Sequence, residues 1–218
     1  MKYVVRRTAG SIEVDAQPEE APWESAPIAR IDQFPWQKLD YLPKSEVRVL
    51  YDDAHLYLLF SCVERYIKAT HVGHQTEVWL DNCVELFTSP SPDLSEPYFN
   101  FEFNCLGSIL LGVGKERIGR VPVSVKEIEG IACKATFQEP VDLQDESEKT
   151  WYLEVAIPFA LISRHSGAAA PQPGTVWRAN FNKCSESTKA IHHATWAKVE
   201  TKDPDFHRPE FFGELVFE

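Results

Sequence analysis

Apolar and polar side chains alternate along most of this chain, and no other sequence feature constrains its fold as strongly. The clearest run spans residues 98–105. Phe99, Phe101, Phe103 and Cys105 occupy one set of alternate positions, and Tyr98, Asn100, Glu102 and Asn104 occupy the other. Successive side chains of a β-strand point to opposite faces of the sheet. The run therefore predicts a strand with one apolar face and one polar face.

Similar runs recur along the chain, separated by turn residues. Residues 47–51 and 56–62 flank the turn Asp52-Asp53-Ala54 and predict a hairpin whose second strand is apolar on both faces. The other strand candidates are residues 83–87, 109–113, 121–128, 131–137, 151–157, 177–182 and 215–217. Many short strands joined by turns predict an all-β fold, an antiparallel β-sandwich of jelly-roll type. Only Pro158–His165 is typical of a helix, so we expect one short helix.

The chain length suits one large domain. The 218 residues are 44% hydrophobic and 25% charged, which is typical of a globular protein. No internal repeat, low-complexity run or linker divides the sequence. We therefore expect a single domain over residues 1–218, in which residues 1–22 form an edge strand or an arm.

The charge balance bears on the partners of the protein. Its formal net charge of −11 argues against binding to a nucleic-acid backbone, because such binding depends on clustered Lys and Arg. No window approaches the roughly 20 apolar residues of a membrane span. We therefore expect no nucleic-acid and no membrane partner. As written, the N-terminus carries no signal peptide and predicts a cytoplasmic protein, whereas a trimmed leader would imply a secreted or periplasmic one.

Five cysteines are spread through the chain and form no C-x-x-C pair. They are Cys62, Cys83, Cys105, Cys133 and Cys184. Two of them, Cys62 and Cys105, occupy apolar positions of strand-like runs, where cysteine acts as a small apolar side chain. We expect buried free thiols rather than zinc ligands or disulfides. Free thiols favour a reducing compartment.

Residues 79–87 combine groups that suit a sugar site. If residues 83–87 form a strand, Val84 and Leu86 point to one face and Glu85 to the other, with Trp79 on the Glu85 side. An indole can cover the apolar face of a pyranose, and a carboxylate can accept hydrogen bonds from its hydroxyls. The same arrangement is also typical of an ordinary strand end with a packed tryptophan. Both interpretations stay open at this point.

Several segments taken together resemble family 9 carbohydrate-binding modules. Residues 79–87, Trp-Leu-Asp-Asn-Cys-Val-Glu-Leu-Phe, are similar to the W-x-D-D-x-V-E-x-F signature of that family, with Asn82 in place of the second aspartate. Other matching segments are residues 49–58, residues 101–107 (F-x-x-N-x-x-G), residues 154–183 (I-P, then G, then W-R-x-N-F) and residues 196–213 (W, then F-H-x-P-E-x-F-G). They occur in family order and cover nearly the whole chain.

The resemblance implies a jelly-roll β-sandwich, often with structural calcium, that binds an oligosaccharide or a polysaccharide end without catalysis. In sugar-binding members of the family, two tryptophans clamp a terminal sugar ring. By motif these are Trp79 and Trp196 here, and Glu85 would hydrogen-bond the sugar hydroxyls. Such modules often accompany glycoside hydrolases, so the resemblance also implies a role in carbohydrate catabolism.

Further side chains are candidates for contacts with the rim of a sugar. Asn100, Glu102 and Asn104 lie beside Glu85 if the two strands are neighbours, and His193 lies near the second tryptophan in sequence. Amides and carboxylates satisfy sugar hydroxyls well. Glu102 departs from the family pattern as we align it, because sugar-binding relatives carry a basic residue there. An acid at this position leaves Glu85 without a positive neighbour.

Two other functions stay open. Glu85 and Glu102 would form a glycosidase-like pair if their carboxyls lay about 5 to 9 Å apart across a sugar. No G-x-S-x-G, H-E-x-x-H or phosphate-loop motif accompanies them, so a binding module is favoured over an enzyme. The other alternative is a sandwich scaffold or interaction domain that has lost sugar binding. Indoles that face an open slot favour sugar binding, and indoles packed into the core favour the scaffold.

Metal binding is a further question. Two histidine pairs occur, at residues 71/74 and 192/193, but a zinc site needs three or four convergent ligands and these pairs are far apart in sequence. Calcium prefers oxygen ligands. Asp52, Asp53, Asp81 and Asn82 are the candidate ligands of a structural Ca²⁺ ion.

Overall fold

A computed structural model describes residues 1–19, 21–38 and 40–218. The strands of this described part are β1 (Lys2–Arg7), β2 (Ile28–Arg30), β3 (Lys44–Tyr51), β4 (His55–Ala69), β5 (Cys83–Ser89), β6 (Tyr98–Asn104), β7 (Ile109–Gly114), β8 (Val121–Pro122), β9 (Ala132–Ala135), β10 (Val141–Pro158), β11 (Val176–Ser185), β12 (His192–Thr195) and β13 (Gly213–Phe217). The helices are α1 (Ala21–Glu24), α2 (Val125–Ile128) and α3 (Phe159–Ser166), with 3₁₀ turns at Val78–Leu80 and Pro209–Phe211.

The strands form two sheets that are joined through β1. The first sheet has the order β8-β7-β6-β5-β11-β13-β1, with β12 also paired to β11. The second has the order β1-β3-β4-β10-β9, with β2 paired to β3. These pairings confirm the predicted all-β sandwich, although it is not purely antiparallel, because β1 pairs in parallel with both of its neighbours. The predicted short helix is α3, and α1 and α2 are two further short helices of the described residues. No helix of the described residues has the length and apolar character needed to span a membrane.

The N-terminal segment differs in part from its prediction. β1 is not an edge strand, because residues 2–5 pair in parallel with β13 and residues 6–7 pair in parallel with β3. The following residues do form an arm. Ile12 and Trp23 pack on Tyr57 and Leu59, which point away from the core between the sheets. This packing explains why β4 is buried on both faces, as its sequence predicted.

A buried carboxylate anchors the arm. Glu154 accepts hydrogen bonds from the backbone N–H groups of Asp15 (2.9 Å) and Ala16 (2.8 Å) and from the indole of Trp23 (2.9 Å). Three donors satisfy a charge that would otherwise be costly to bury. The arm is therefore held by polar as well as apolar contacts.

The main core lies between the two sheets and is rich in aromatic rings. Phe99, Phe101 and Phe103 stack along one face of β6, with ring centroids 5.6 and 6.4 Å apart. The alternation of residues 98–105 thus places these rings in the core, as predicted. The polar residues of the same strand point to the other side of the first sheet, although they too are buried.

One ion pair lies inside this core. Lys183 Nζ is 3.2 Å from Glu64 Oε2 and 3.0 Å from His192 Nε2, and the Trp151 indole donates to Glu64 Oε1 at 2.5 Å. Burial is the largest single influence on the pKa of Lys183 and lowers it, but Glu64 and the neighbouring Cys62 and Cys184 together outweigh burial, and the net pKa is raised. His192 Nδ1 lies 2.7 Å from the carbonyl oxygen of Ala190, so Nδ1–H donates and Nε2 accepts from the lysine. We call Lys183 and Glu64 the core ion pair.

The predicted strand over residues 121–128 is wrong. Only Val121–Pro122 is a strand, and Val125–Ile128 is the single-turn helix α2. Ser124 donates a hydrogen bond to Glu127 Oε2 at 2.6 Å. The S-x-x-E pattern that marks many helix starts was present in the sequence at residues 124–127. The local signal for a helix therefore outweighed the alternation of apolar residues.

No disulfide joins the five cysteines. Four of the thiols are buried, as predicted, and Cys133 is partly exposed.

Candidate functional site

A cleft of about 650 Å³ opens on the outer face of the first sheet. Its floor consists of side chains from β5, β6, β7 and β11. Its walls come from the 3₁₀ turn at Val78–Leu80, the loop of residues 115–120 and the loop of residues 204–207. The loops that join the strands therefore enclose a space above the sheet.

Strand register arranges the floor in rungs. Because residues two apart on a strand share a face, three positions from each of β6, β5 and β11 face the cleft side. The rungs are Asn104–Cys83–Cys184, Glu102–Glu85–Asn182 and Asn100–Phe87–Asn180. The first sheet thus carries an apolar face toward the core and a largely polar, buried face toward the cleft.

Two carboxyls stand side by side at the centre of the floor. Glu85 and Glu102 are direct partners across β5 and β6, and both line the cleft. Neither forms an ion pair with a basic residue of the described ranges. We call these two residues the carboxyl pair. Because position 102 carries an acid, we expected Glu85 to lack a positive neighbour, and the ion pairs of the described residues agree with this.

Burial controls the protonation of the carboxyl pair. It raises the pKa of Glu85 well above its ordinary value, and the neighbouring Cys184 and Glu102 add to the shift. Burial also raises the pKa of Glu102 to about 7. Two adjacent buried acids cannot both ionise cheaply. The pair therefore retains a proton near neutrality and offers a ligand both an O–H donor and carboxylate acceptors.

The carboxyl pair also bears on the catalytic alternative. Glu85 and Glu102 rise from one face of one sheet, on adjacent strands. A glycosidase pair requires two carboxyls about 5 to 9 Å apart across the scissile bond. The catalytic alternative therefore stays a prediction.

Arg120 supports one side of the floor and was missed by the sequence reasoning. Its Nε donates to Asn100 Oδ1 at 2.8 Å, while Asn100 Nδ2 donates to Glu102 Oε1 at 2.8 Å. Its guanidinium also lies 4.2 Å from the ring centroid of Tyr98. Arg120 thus fixes the Asn100 amide and lowers the pKa of Glu102 against the effect of burial. The sequence offered only an arginine after a glycine-containing loop, which identifies no partner.

Two walls of the cleft meet through a second arginine. Arg117 lies 3.8 Å from Asp205, and the side chains belong to the loops 115–120 and 204–207. The arginine is mostly exposed, so this pair contributes little stability. The pair instead connects the loops of residues 115–120 and 204–207 beside the floor of the cleft.

Aromatic and imidazole rings line the rest of the cleft. Trp79 lines it with 38% of its surface exposed. Phe206 is a second ring of the lining, and Trp36 packs behind it at 5.7 Å. His193 lies in the lining as predicted, held between Glu186 at 2.6 Å and Gln37 at 2.6 Å. The cleft therefore offers one open indole and one partly buried phenyl ring.

His207 is another lining residue that the sequence reasoning did not single out. Its Nδ1 lies 2.9 Å from the hydroxyl of Tyr98, and its ring is 4.8 Å from that of Phe87. Burial, aided by Arg120 and Arg117, lowers its pKa to about 3. His207 is thus neutral and acts as a hydrogen-bonding wall of the cleft.

The predicted clamp of two tryptophans is wrong. Trp196 is only 4% exposed, belongs to the main core and packs on Phe181 at 5.4 Å. A Cβ atom at Gly213 would lie 2.5 Å from Trp196 Cζ3, so the missing side chain of this glycine makes room for the indole. Of the two predicted tryptophans, only Trp79 lines the cleft.

Asn104 is also not a ligand contact. Its Nδ2 donates to the carbonyl oxygen of His71 and to Asp81 Oδ2, each at 2.8 Å. Its Oδ1 accepts from the backbone N–H groups of Leu106 (3.1 Å) and Ser108 (3.0 Å). Every strong bonding position of this buried amide is used, and it holds two loops together. The prediction failed because sheet parity places Asn104 on the cleft side but beyond the end of the cleft.

The residues predicted for calcium do not fit one ion. Asp52 and Asp53 lie in the turn before β4, whereas Asp81 and Asn82 lie beside the far end of that strand. Asp52 already accepts from two backbone N–H groups at 2.7 Å and from the hydroxyl of Tyr57 at 2.8 Å. Asp53 pairs with an arginine at 2.5 Å. These groups brace a turn and leave no convergent set of oxygens.

Asp81 and Asn82, the other two residues predicted for calcium, also form hydrogen bonds within the protein. Asp81 accepts from the backbone N–H groups of Thr70 (3.1 Å) and His71 (3.0 Å). Asn82 accepts from the backbone N–H of Lys68 (2.8 Å) and donates to the carbonyl oxygen of Tyr66 (2.9 Å). An oxygen that faces N–H donors is poorly placed to bind a cation. This Asp-Asn corner fixes the chain that leads into β5.

Comparisons with known proteins agree with this fold. A protein of Bacteroides uniformis ATCC 8492, proposed to bind carbohydrate, has a solved structure that matches with a TM-score of 0.89 and 27% identity over 100% of this chain and 99% of that one. A family 9 carbohydrate-binding module of Caldicellulosiruptor kristjanssonii, solved with cellotriose, matches with a TM-score of 0.67 and 12% identity over 100% and 94%. A family 9 module of the same organism, solved with glucose, matches with a TM-score of 0.66 and 12% identity over 100% of this chain and 96% of that one.

The family assignment rests on the sequence. No curated protein matches the chain. The model of carbohydrate-binding family 9 matches residues 15–217, which is nearly all of it. The chain belongs to carbohydrate-binding family 9.

Proposed function

We propose that this protein binds a saccharide in the cleft and does not alter it chemically. One sugar ring stacks on Trp79, and its hydroxyls bond to the carboxyl pair. The observation that carries this proposal is the carboxyl pair itself, two buried acids without a positive partner that face the same space as an open indole. Proteins rarely bury such groups unless a ligand or a hydrogen-bond network uses them.

The chemistry of the cleft suits a neutral sugar. A pyranose presents C–H groups on its faces and hydroxyls at its rim, and each hydroxyl both donates and accepts. Trp79 supplies a flat apolar surface for a face. A carboxyl pair that retains one proton supplies acceptors and a donor within reach of neighbouring hydroxyls. The strongly acidic net charge does not oppose a ligand without charge.

The family and its solved members support the same ligand class. The two structures from Caldicellulosiruptor kristjanssonii hold cellotriose and glucose. At 12% identity they support the fold of this chain rather than its contacts. We therefore use glucose and cellotriose as probes. Association with a glycoside hydrolase and a role in carbohydrate catabolism stay predictions.

One observation favours a different function. Trp196 is packed into the core, which is the behaviour expected of a scaffold that has lost sugar binding. Trp79, however, lines a cleft and is open to solvent. Phe206 and His193 take the place of a second indole in the lining. We therefore favour sugar binding through one indole over a scaffold without a ligand.

Retention on immobilised oligosaccharides tests the proposal. We expect the parent protein to be retained and Trp79→Ala to pass through the column, with an unchanged unfolding temperature because the side chain is not part of the core. Val125→Ala is the matched control, since Val125 is an exposed apolar residue outside the cleft. If Trp79→Ala is retained as well as the parent, or if it unfolds, the assignment of the cleft is wrong.

A further inference from the structure

Two cysteines that are far apart in sequence meet at one end of the cleft floor. Cys83 and Cys184 are direct partners across β5 and β11, and Glu85 lies two residues further along β5 on the same face. The two sulfur atoms and a carboxylate oxygen of Glu85 all lie within 4.8 Å of one another. Within residues 1–19, 21–38 and 40–218, no other three Cys, His, Asp or Glu side chains converge in this way.

The distances fit a tetrahedral metal ion. Zinc binds thiolate sulfur at about 2.3 Å and carboxylate oxygen at about 2.0 to 2.2 Å, so a tetrahedral site places sulfur and oxygen about 3.5 Å apart and two sulfurs about 3.8 Å apart. The observed distance between Cys184 Sγ and Glu85 Oε1 is 3.4 Å. This separation matches the one expected for a sulfur and a carboxylate oxygen bound to one tetrahedral ion.

The side-chain oxygen of a buried amide next to these ligands has no hydrogen-bond partner. Asn182 is fully buried and lies directly across from Glu85, and its Nδ2 donates to Glu85 Oε2 at 3.2 Å. Its Oδ1 has no hydrogen-bond partner. Buried amide oxygens are seldom left unsatisfied. An ion held by the neighbouring thiols and carboxylate would place an electropositive centre near this oxygen.

An ion can reach the three groups from solvent. Cys184 and Glu85 both line the cleft, whereas Cys83 is fully buried behind them. The other thiols offer no such arrangement. Cys62 and Cys105 belong to the apolar core between the sheets, where thiols act as small apolar side chains.

We propose that Cys83, Cys184 and Glu85 bind a thiophilic divalent cation of the zinc type, with its open position toward the cleft. Two thiols and one carboxylate favour zinc over calcium or magnesium, which prefer oxygen ligands alone. Each thiol releases its proton when it binds the ion. The ion takes the Glu85 carboxylate from the sugar site, so metal and saccharide compete for the cleft.

Titration with Co²⁺ tests the site without any saccharide. Cobalt replaces zinc in tetrahedral sites and reports its ligands by colour. We expect the reduced protein to bind one Co²⁺ per chain, with a thiolate-to-cobalt charge-transfer band and tetrahedral visible bands that Zn²⁺ abolishes. Cys184→Ser and Glu85→Gln should each weaken Co²⁺ binding at least tenfold. Cys133→Ala, which removes a partly exposed thiol elsewhere, should leave the spectrum and the affinity unchanged.

Circular dichroism shows whether each variant is folded, and Glu85→Gln serves as the test if Cys184→Ser is not. The absence of a charge-transfer band in the folded, reduced parent would overturn the proposal. Unchanged Co²⁺ affinity in folded Cys184→Ser or Glu85→Gln would also overturn it, because other residues would then bind the ion. Since the titration contains no sugar, its result does not depend on the proposed function. Loss of glucose binding on addition of Zn²⁺, in the parent alone, would complete the proof of competition.

Discussion

Buried acidic groups differ between the two faces of β11, because the acid on one face has a basic partner and the acid on the other has none. On the core face, Lys183 Nζ lies 3.2 Å from Glu64 Oε2, Trp151 donates to Glu64 Oε1, and His192 Nε2 accepts from the lysine. On the cleft face, Asn182 meets Glu85, which has another acid and no base as its direct partner on the adjoining strand. Both faces are buried, yet only the core face pairs its acid with an opposite charge.

This contrast distinguishes the buried charges that maintain the fold from those that are available to a ligand. A buried pair of opposite charges holds neighbouring elements in register, although it adds little net stability compared with apolar packing. A buried acid without a positive partner costs stability in the free protein and becomes useful only when a ligand bonds to it. We infer that the core ion pair belongs to the fold and that the carboxyl pair belongs to the binding site.

Breaking the core ion pair should have the largest effect on stability. Lys183→Met leaves Glu64 buried without its cation, which should lower the free energy of unfolding by about 3 to 5 kcal/mol. Urea unfolding at neutral pH measures the loss. Lys198→Met is the matched control, because its partner Glu200 lies at 2.9 Å in an exposed pair that should be worth less than about 1 kcal/mol.

A second variant separates charge from packing at the core ion pair. Adding Glu64→Gln to Lys183→Met removes the orphaned charge, and we expect it to restore a large part of the lost stability. A Lys183→Met protein no less stable than Lys198→Met would show that the core ion pair does not organise the fold.

Removing an acid from the cleft floor should instead increase the stability of the protein. The pKa of Glu102 is about 7 in the folded protein, above its ordinary value of 4.5. Between these values the unfolded chain releases a proton that the folded protein keeps, so stability falls as the pH rises through this window. Glu102→Gln does not titrate and avoids this loss. We expect the variant to gain about 2 to 3 kcal/mol relative to the parent between about pH 5 and about pH 8.

Urea unfolding at the two pH values, with a chelator present to keep the floor free of metal, measures the Glu102→Gln difference. Glu210→Gln is a useful control, since Glu210 is an exposed acid outside the cleft that pairs with Arg208 at 2.5 Å. A difference between Glu102→Gln and the parent that does not change with pH would contradict the raised pKa of Glu102.

Local alternation predicted much of the fold and part of the site. Phe99, Phe101 and Phe103 point to the core, and Glu85 and Glu102 point to the cleft, because strand parity is a property of consecutive residues. Where the signal for a helix start competed with alternation, at residues 124–127, alternation gave the wrong answer.

The remaining errors concern contacts between distant segments. Trp196 enters the core because Gly213, in β13, leaves room for its ring, and no local pattern shows that. Arg120 reaches the floor from a loop, and Cys83 meets Cys184 through pairing of two strands about a hundred residues apart. The sequence spacing of the cysteines argued against a metal site, but register rather than spacing decides which thiols meet.

The same substitution on the two sides of the first sheet tests the central claim most directly. Isothermal titration with glucose and cellotriose should show that Glu85→Met binds at least about tenfold more weakly than the parent, a change of about 1.4 kcal/mol. Glu64→Met should lose stability but keep its affinity within about threefold, a change of less than about 0.7 kcal/mol. Normal affinity in Glu85→Met, with lost affinity in folded Glu64→Met, would contradict the assignment of the carboxyl pair to the binding site.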